Sequence, residues 1–454
     1  MDARARAGRP AVAALGLVAL AAVGFQIARS RIGVGLSSDA YSYLAWAERF
    51  LADGETGHTP YDFTAPKPLE LAVATLGQAV GAPVAVFGTW AVLGYLGAVL
   101  AAGALAHRFG GPAAAVVAAV LAATMPALVL AGWAGDATVP FAACVVGAAA
   151  LGPGRVLPVA AILGIAGLLR PEAWGLAALH AALSWRGADR RERAGAVAAA
   201  LLPPALWLGF DWIATGDPFY GPNATERFGV VAVPLGELPG ILARLIPDLV
   251  GWPLVVLGLA ALALGLGRRP LDPAVVFPVA LALALLLELR LGLIGQQPLG
   301  RYGVGLALFL APGAAIVLAQ APGRARLPAL AAGLLLCLAF VAGPLGNARD
   351  FLERRGRLAG QLEERMAPAV ERAAPVGLVA TEPTWGGALA VYSDVPRERI
   401  VPLRVVGTDV RAADVRAFLV VRRAQARRER RGVDPIVGRP AARSWLWQLY
   451  ATDP

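Results

Sequence analysis

SRIGVGLSSDAYSYLAWAERFLADGETGHTPYDFTAPKPL, residues Ser30 to Leu69, lies between two apolar segments. It sets Asp39 at the head of an aromatic segment and contains Lys67, the only lysine in a chain that otherwise uses arginine as its strong cation. From Asp39 onward the apolar or small positions Ala40, Tyr43, Leu44, Ala47, Phe50 and Leu51 recur at helical spacing, with Glu48 and Arg49 turned away. That pattern predicts an amphipathic helix lying along a membrane interface. A loop of this kind points to chemistry at a membrane surface.

Working outward, the chain of 454 residues is 57% hydrophobic and 16% charged, too apolar and too poor in charge for an ordinary soluble protein. Its apolar stretches are continuous and approach the roughly 20 residues a helix needs to cross a bilayer, whereas a β-barrel would alternate. The reading is an all-α polytopic membrane protein. Spans are expected near 11–28, 83–106, 111–132, 137–152, 156–169, 172–185, 196–210, 249–267, 274–292, 303–320 and 327–345, about eleven in all. The first follows Arg4, Arg6 and Arg9, and its A-x-A triplets lie inside the apolar run, as in a retained signal anchor rather than a cleaved peptide.

The net charge of +10 does not call for nucleic acid, because much of the arginine sits in short loops beside the spans. His107-Arg108, Arg155, the run from Trp185 to Gly195, Arg268-Arg269, and Arg324 with Arg326 fall on one side, which the positive-inside rule makes cytoplasmic. The other side receives the loop 30–82, Asp136, Arg170, the loop from Asp211 to Asp248, and GQQPLGRY before the tenth span. The transmembrane domain is therefore 1–346, and the remainder, 347–454, is expected as a small extracytoplasmic α/β domain. Its signals are a charged helix from Asp350 to Ala373 and two strand-like runs, GLVAT and AFLVVRR. Cys144 and Cys337 lie in separate apolar runs, so no disulfide framework is indicated.

Several outer residues carry chemistry or a simpler structural role. Asp39 reads as a helix N-cap or as a catalytic acid, and a helix start can serve both. Lys67 reads as a phosphate partner or as a snorkelling interfacial cation. Arg301 and Tyr302 open a span, where both anchor membranes and either can bind a ligand. Arg170 and Glu172 flank Pro171 and read as an ion pair or a turn as well as a site. Asp136 precedes a span as a cap would, and Asp217 sits in a Gly-Asp-Pro turn. His58 has no partner at ligand spacing, and Asn223-Ala224-Thr225 is a sequon short enough to occur by chance.

The order of these segments resembles the GT-C glycosyltransferases, notably the aminoarabinose transferase and protein O-mannosyltransferase relatives. The likeness rests on SSDAYSYLAWAERFL and APKPLELAVATL in the first outer loop, then LLRPEAW, TGDPFYGP and GRYGVGLALFLAPG, over most of residues 10–345. It implies sugar transfer from a polyprenyl-phosphate donor to a glycan, lipid or protein acceptor at the extracytoplasmic face of the plasma (inner) membrane. It also implies that Asp39 is the general base; the leaving phosphate then needs cations, for which Lys67, Arg301 and Arg170 are the candidates by charge and hydrogen bonding, and Tyr302, Glu172 and Asp136 are further substrate-binding candidates. Some members hold a divalent metal with paired acids; this first loop has no D-x-D, so a metal-independent enzyme without a cofactor is expected.

Two other classes compete. A transporter or lipid-carrier flippase predicts a polar path at the bilayer midplane, where only Glu288 and Arg290 stand out near the end of a span. A non-catalytic scaffold predicts an Asp39 that faces lipid or solvent.

Overall fold

The computed structural model describes residues 36–54, 67–220, 234, 236–237, 240, 250–269, 271–291, 303–381, 386–396, 399–402, 414–421, 441–443 and 447–451. Expectations for span 11–28, His58, the sequon, Arg301 and Tyr302 lie outside these residues.

The first-loop helix α1, Ser38–Asp53, is followed by α2, Pro68–Ala79, which begins at Pro68 directly after Lys67. Proline is well placed there, since the first turn of a helix leaves its amides unbonded. Then comes α3, Pro83–Ala123, two helical segments joined at Gly111. Gly111 has φ 78° and ψ −171°, a backbone that L side chains rarely adopt, and Pro112 follows it. The chain reverses there: a Cβ on Gly103 would lie 3.3 Å from the Ala115 carbonyl oxygen, and the Tyr95 hydroxyl donates to the Ala123 carbonyl. The spans expected at 83–106 and 111–132 thus form a hairpin with a one-glycine turn, the second arm ending at Ala123 and continuing after a break as α4, Pro126–Trp133.

The helices α5 (Thr138–Leu151), α6 (Val156–Gly167) and α7 (Glu172–Ser184) are 14, 12 and 13 residues long. At 1.5 Å per residue they are shorter than a bilayer core of about 30 Å. Next come α8 (Arg190–Thr215), α9 (Trp252–Arg268), α10 (Pro273–Leu291) and α11 (Val304–Ala319). Among the described residues, three helical units are long and apolar enough to cross a membrane: Pro83–Ala123, Arg190–Thr215 and Gly323–Ala373. The exact count of eleven is therefore not fixed by these elements.

With no water to drive association in lipid, membrane helices pack through small residues that let backbones approach. α3 and α5 meet this way: a Cβ on Gly94 would lie 3.0 Å from Pro140, and one on Gly97 would lie 3.4 Å from Ala143. α9 and α11 meet at Gly258 and Gly313, where a Cβ on Gly258 would lie 2.9 Å from Leu310 Cα.

The last long helix, α12, runs unbroken from Arg326 to Gln361. The domain boundary expected at 346/347 falls inside it. Gly343, Pro344, Gly346 and Asn347 look like a stop, yet Ala348, Leu352 and Ala359 continue a buried face beyond them and tertiary packing carries the helix on. A π-turn (Leu362–Met366) and α13 (Ala367–Ala373) lead to β1 (Leu378–Thr381), α14 (Gly386–Tyr392), β2 (Ile400–Pro402), β3 (Val415–Val421), β4 (Ala442–Arg443) and β5 (Trp447–Ala451). The sheet order is β2-β1-β3-β5-β4, with β2-β1-β3 parallel and β3-β5-β4 antiparallel. β1 and β3 overlap the two runs read as strands; β2 and β4, of three and two residues, are too short to stand out in sequence, and β5 was not read there.

One apolar core joins this domain to the first loop. Leu36, Tyr41, Leu44 and Trp46 of the loop cluster with Leu362, Val370, Leu389, Leu419 and Trp447. α1 is thus enclosed along 39–47, and only its end, with Phe50 and Leu51, is exposed. The expectation of a helix lying on the membrane interface is corrected here: its second face is covered by protein. The Tyr41 and Tyr392 hydroxyls lie 2.7 Å apart, and Trp447 Nε1 donates to the Leu358 carbonyl at 3.1 Å.

Candidate functional site

The start of α1 is built so that Asp39 is released from capping. Ser37 is the N-cap: its hydroxyl accepts from the Ala40 amide at 3.1 Å, and its own amide donates to the Ala134 carbonyl at 2.6 Å. Asp39 sits in the first turn, 7% exposed. Lys67 immediately precedes α2 and is 8% exposed, which excludes a snorkelling cation. Its ammonium lies 3.5 Å from Asp39 Oδ2 and 4.0 Å from Glu70 Oε2, and 5.7 Å from the centre of the Tyr43 ring. Glu70 is buried on the same face of α2, three residues after Lys67. Residues 28 positions apart therefore meet in one buried acid–base cluster.

A second cluster stands at the same end of the bundle. Asp136 Oδ1 accepts from the Thr138 amide at 2.9 Å and from its hydroxyl at 2.6 Å, which ties Asp136 to the first residue of α5. The Arg170 guanidinium donates to the Thr138 hydroxyl at 2.6 Å and to Glu172 Oε1 at 3.0 Å, and lies over the Phe141 ring. Arg170 is 3% exposed, and its ion pair with Glu172 is buried rather than a surface turn. The Glu288 carboxylate shares a small cavity with Glu172 and interacts with the charges of Glu172 and Arg170. Asp217 accepts from the Phe219 amide at 2.9 Å, a local turn as its Gly-Asp-Pro setting suggests.

Arg355 of α12 joins the clusters. Its Nε donates to the Leu36 carbonyl at 2.8 Å, and its charge is acted on by Tyr41, Asp39 and Asp136. The structure thus brings together Asp39, Lys67 and Asp136, and groups Arg170 with Glu172 beside them; Arg301 and Tyr302 are outside the described residues. Glu70, Thr138 and Arg355 were missed in the sequence. Glu70 was legible from its i,i+3 spacing to Lys67. Arg355 lies 319 positions from its Leu36 partner in a run of surface arginines and gave no signal.

The opposite end carries the basic loops. Arg108 donates to the Ala149 carbonyl at 2.9 Å and pairs with Asp272, and Arg326 donates to the Gly110 carbonyl. α5 separates the two ends, since Thr138 is its first residue and Ala149 lies near its last. Among the described residues, no group of three His, Cys, Asp or Glu side chains is arranged to hold a metal.

Comparison of the chain with protein families and with curated proteins finds no match. Solved structures do match it. ArnT from Cupriavidus metallidurans bound to undecaprenyl phosphate aligns with a TM-score of 0.60 over 97% of this chain and 98% of that one, at 14% identity. This chain has the GT-C fold. The Archaeoglobus fulgidus oligosaccharyltransferase with zinc and sulfate aligns with a TM-score of 0.52 at 14% identity, over 86% of this chain and 64% of that one. This chain thus spans just under two thirds of that structure. The same organism's AglB, with an inhibitory peptide and a dolichol-phosphate, gives a TM-score of 0.50 at 12% identity, over 90% of this chain and 69% of that one. ArnT and AglB both belong to the GT-C superfamily, and the GT-C fold makes this chain a multi-pass membrane protein.

Proposed function

We propose that this chain is an inverting, metal-independent membrane glycosyltransferase that moves a hexosyl or pentosyl unit from a polyprenyl-phosphate donor to an acceptor hydroxyl. The observation that carries the reading is the buried contact between Asp39, in the first turn of α1, and Lys67, just before α2. The GT-C fold supports it, and the matching structures suggest the donor chemistry: ArnT is bound to undecaprenyl phosphate and AglB is in complex with a dolichol-phosphate.

In this reading the Asp39 carboxylate accepts the proton of the acceptor hydroxyl as that oxygen bonds to the anomeric carbon. The bond from that carbon to the phosphate oxygen breaks, and its electron pair leaves with the polyprenyl phosphate. A single displacement inverts the anomeric centre. Lys67 exchanges its contact with Asp39 for one with the phosphate, and Arg301 and Tyr302 supply further phosphate contacts. Asp136, Arg170 and Glu172 hold the starts of α5 and α7 beside the site; Arg170, a phosphate candidate from the sequence, is engaged by Thr138 and Glu172. The acceptor is a glycan, a lipid or a protein. The site faces the extracytoplasmic side of the inner membrane, with the C-terminal domain on that side; the arginine-rich loops at the opposite end support this orientation.

Asp39→Asn tests the reading, because it keeps size and polarity but removes the base. Purified wild-type protein should release polyprenyl phosphate from a labelled polyprenyl-phosphate sugar when acceptor is present, and Asp39→Asn should lower that rate about 100-fold or more. Undiminished transfer by a folded Asp39→Asn would remove Asp39 from the mechanism.

A further inference from the structure

A cavity among the described residues lies far from the acid cluster, and nothing in the proposed reaction uses it. It encloses about 530 Å³ between α3, α9, α10 and α11. Its origin is local. α9 is drawn tightly onto α11 at Gly258, whereas α10 packs toward α5 through Leu281 and Phe141 around Gly305, so a cleft is left between α9 and α10. The back wall is buried and apolar, with Leu105, Val255, Ala307 and Phe309. Leu259 and Leu283 at the rim are 54% and 62% exposed, so the cleft opens sideways onto the membrane-facing surface.

One end of this cleft is polar and positively charged. Arg268, Arg269 and Asp272 line it, and Asp272 is already neutralised by Arg108 through contacts of 3.0 and 2.5 Å. Arg268 and Arg269 are exposed, and among the described residues neither forms an ion pair. The Arg269 guanidinium is steadied 5.8 Å from the centre of the Phe109 ring, itself part of the lining. This mouth is at the end of α5 opposite Thr138, about 20 Å from the acid cluster along a helix of 14 residues.

From this arrangement we infer a binding site for one anionic phospholipid, drawn from the leaflet opposite the acid cluster. One acyl chain fills the cleft and the headgroup phosphate rests on Arg268 and Arg269. The volume suits that occupant: at about 30 Å³ per group of water or methylene size, the cavity of about 530 Å³ holds about 18, the length of one acyl chain. The charge suits it as well, because two arginines that form no ion pair among the described residues stand at the headgroup end of the cleft and the nearby acid is spent on Arg108. A zwitterionic lipid would fill the cleft equally well but gain little from the arginines.

Native mass spectrometry of the detergent-purified full chain, with equal amounts of phosphatidylglycerol and phosphatidylcholine of matched chain length, tests the inference. Wild-type protein should retain phosphatidylglycerol in preference to phosphatidylcholine by about 30-fold, from two basic contacts near the headgroups. The double substitution Arg268→Gln/Arg269→Gln, on the protein surface, should bring the preference close to parity. Arg190→Gln/Arg191→Gln makes the same change in charge on another exposed part of the basic face and should leave the preference intact. Ala282→Phe, which fills the cleft, should reduce retention of both lipids. Equal retention by the wild type, or an unchanged preference in the Arg268/Arg269 variant, would overturn the inference. So would displacement of the retained lipid by polyprenyl monophosphate, which would make the cleft a slot for the donor's tail.

Discussion

Replacing Lys67 with Met separates stability from donor binding. The ammonium lies 3.5 Å from Asp39 and 4.0 Å from Glu70, and at an effective dielectric of about 20 each unit charge attracts it by about 4 kcal/mol. Burial of all three groups offsets much of that, so the net worth of the cluster is far smaller. Removing its one ammonium is different, because two buried carboxylates stay behind close to each other; breaking a buried pair in this way costs about 3–5 kcal/mol. Arg355 still acts on Asp39, which places Lys67→Met toward the lower end. Adding Glu70→Gln removes one of the two neighbouring carboxylate charges, so the double variant should recover much of the thermal stability. It should not recover donor binding. A charge-assisted contact to phosphate is worth about 1.5–3 kcal/mol, so both variants should bind polyprenyl phosphate about 10- to 150-fold more weakly than wild type. Thermal unfolding in detergent and a titration with polyprenyl phosphate measure the two effects. Unchanged affinity in Lys67→Met, or recovery of affinity on adding Glu70→Gln, would refute the division of roles.

Arg355→Gln should lower the unfolding midpoint and slow transfer about tenfold or more while changing the donor's KM less, because the Leu36 carbonyl beside the Ser37 cap loses a charged donor. Steady-state kinetics over donor concentration check that split, and a change confined to KM would contradict it. Glu48, on the far part of α1, has its carboxyl pushed above the ordinary range, first by burial and then by Asp394 of the C-terminal domain. A raised carboxyl holds its proton more tightly in the folded state, so its contribution is fully present below the ordinary carboxylate range. It is lost as pH rises from there through the raised value. Glu48→Gln should flatten that part of the stability–pH curve, as thermal melts from about pH 4 upward would show; an unaltered slope would exclude the linkage.

Much of the bundle was legible because apolar length is a local signal: the starts at Pro83, Val156, Glu172 and Val304 match the runs read from composition. The break between the arms of α3 was legible between the runs 83–106 and 111–132, and the structure places it at Gly111, a tighter turn than a loop carrying His107 and Arg108. The course of α12 through Pro344 was not legible, since it depends on Ala348, Leu352 and Ala359 having a surface to pack against. The same holds for α1. Its alternation of faces reads as a membrane-surface helix until the C-terminal domain supplies Tyr392, Leu389 and Trp447 as a second covering.

For the site, an acid after paired serines and a solitary lysine before a proline were visible, and their 3.5 Å contact is a product of the fold. Asp39 reads from the sequence as a candidate cap of α1, but Ser37, two residues earlier, takes that place through its bond to Ala40. Arg170 and Glu172 were close enough in sequence to suggest a pair, but Thr138, which ties them to Asp136, lies 32 positions away. Long-range contacts of that kind leave no periodicity to read.

The most direct test of the central claim is the structure of the full chain in a bilayer disc with polyprenyl phosphate bound. The account predicts the phosphate at hydrogen-bond distance from Lys67, with Arg301 and Tyr302 beside it and the Asp39 carboxylate facing the space where the sugar and acceptor meet. A phosphate bound elsewhere, with Lys67 still paired to Asp39, would contradict it.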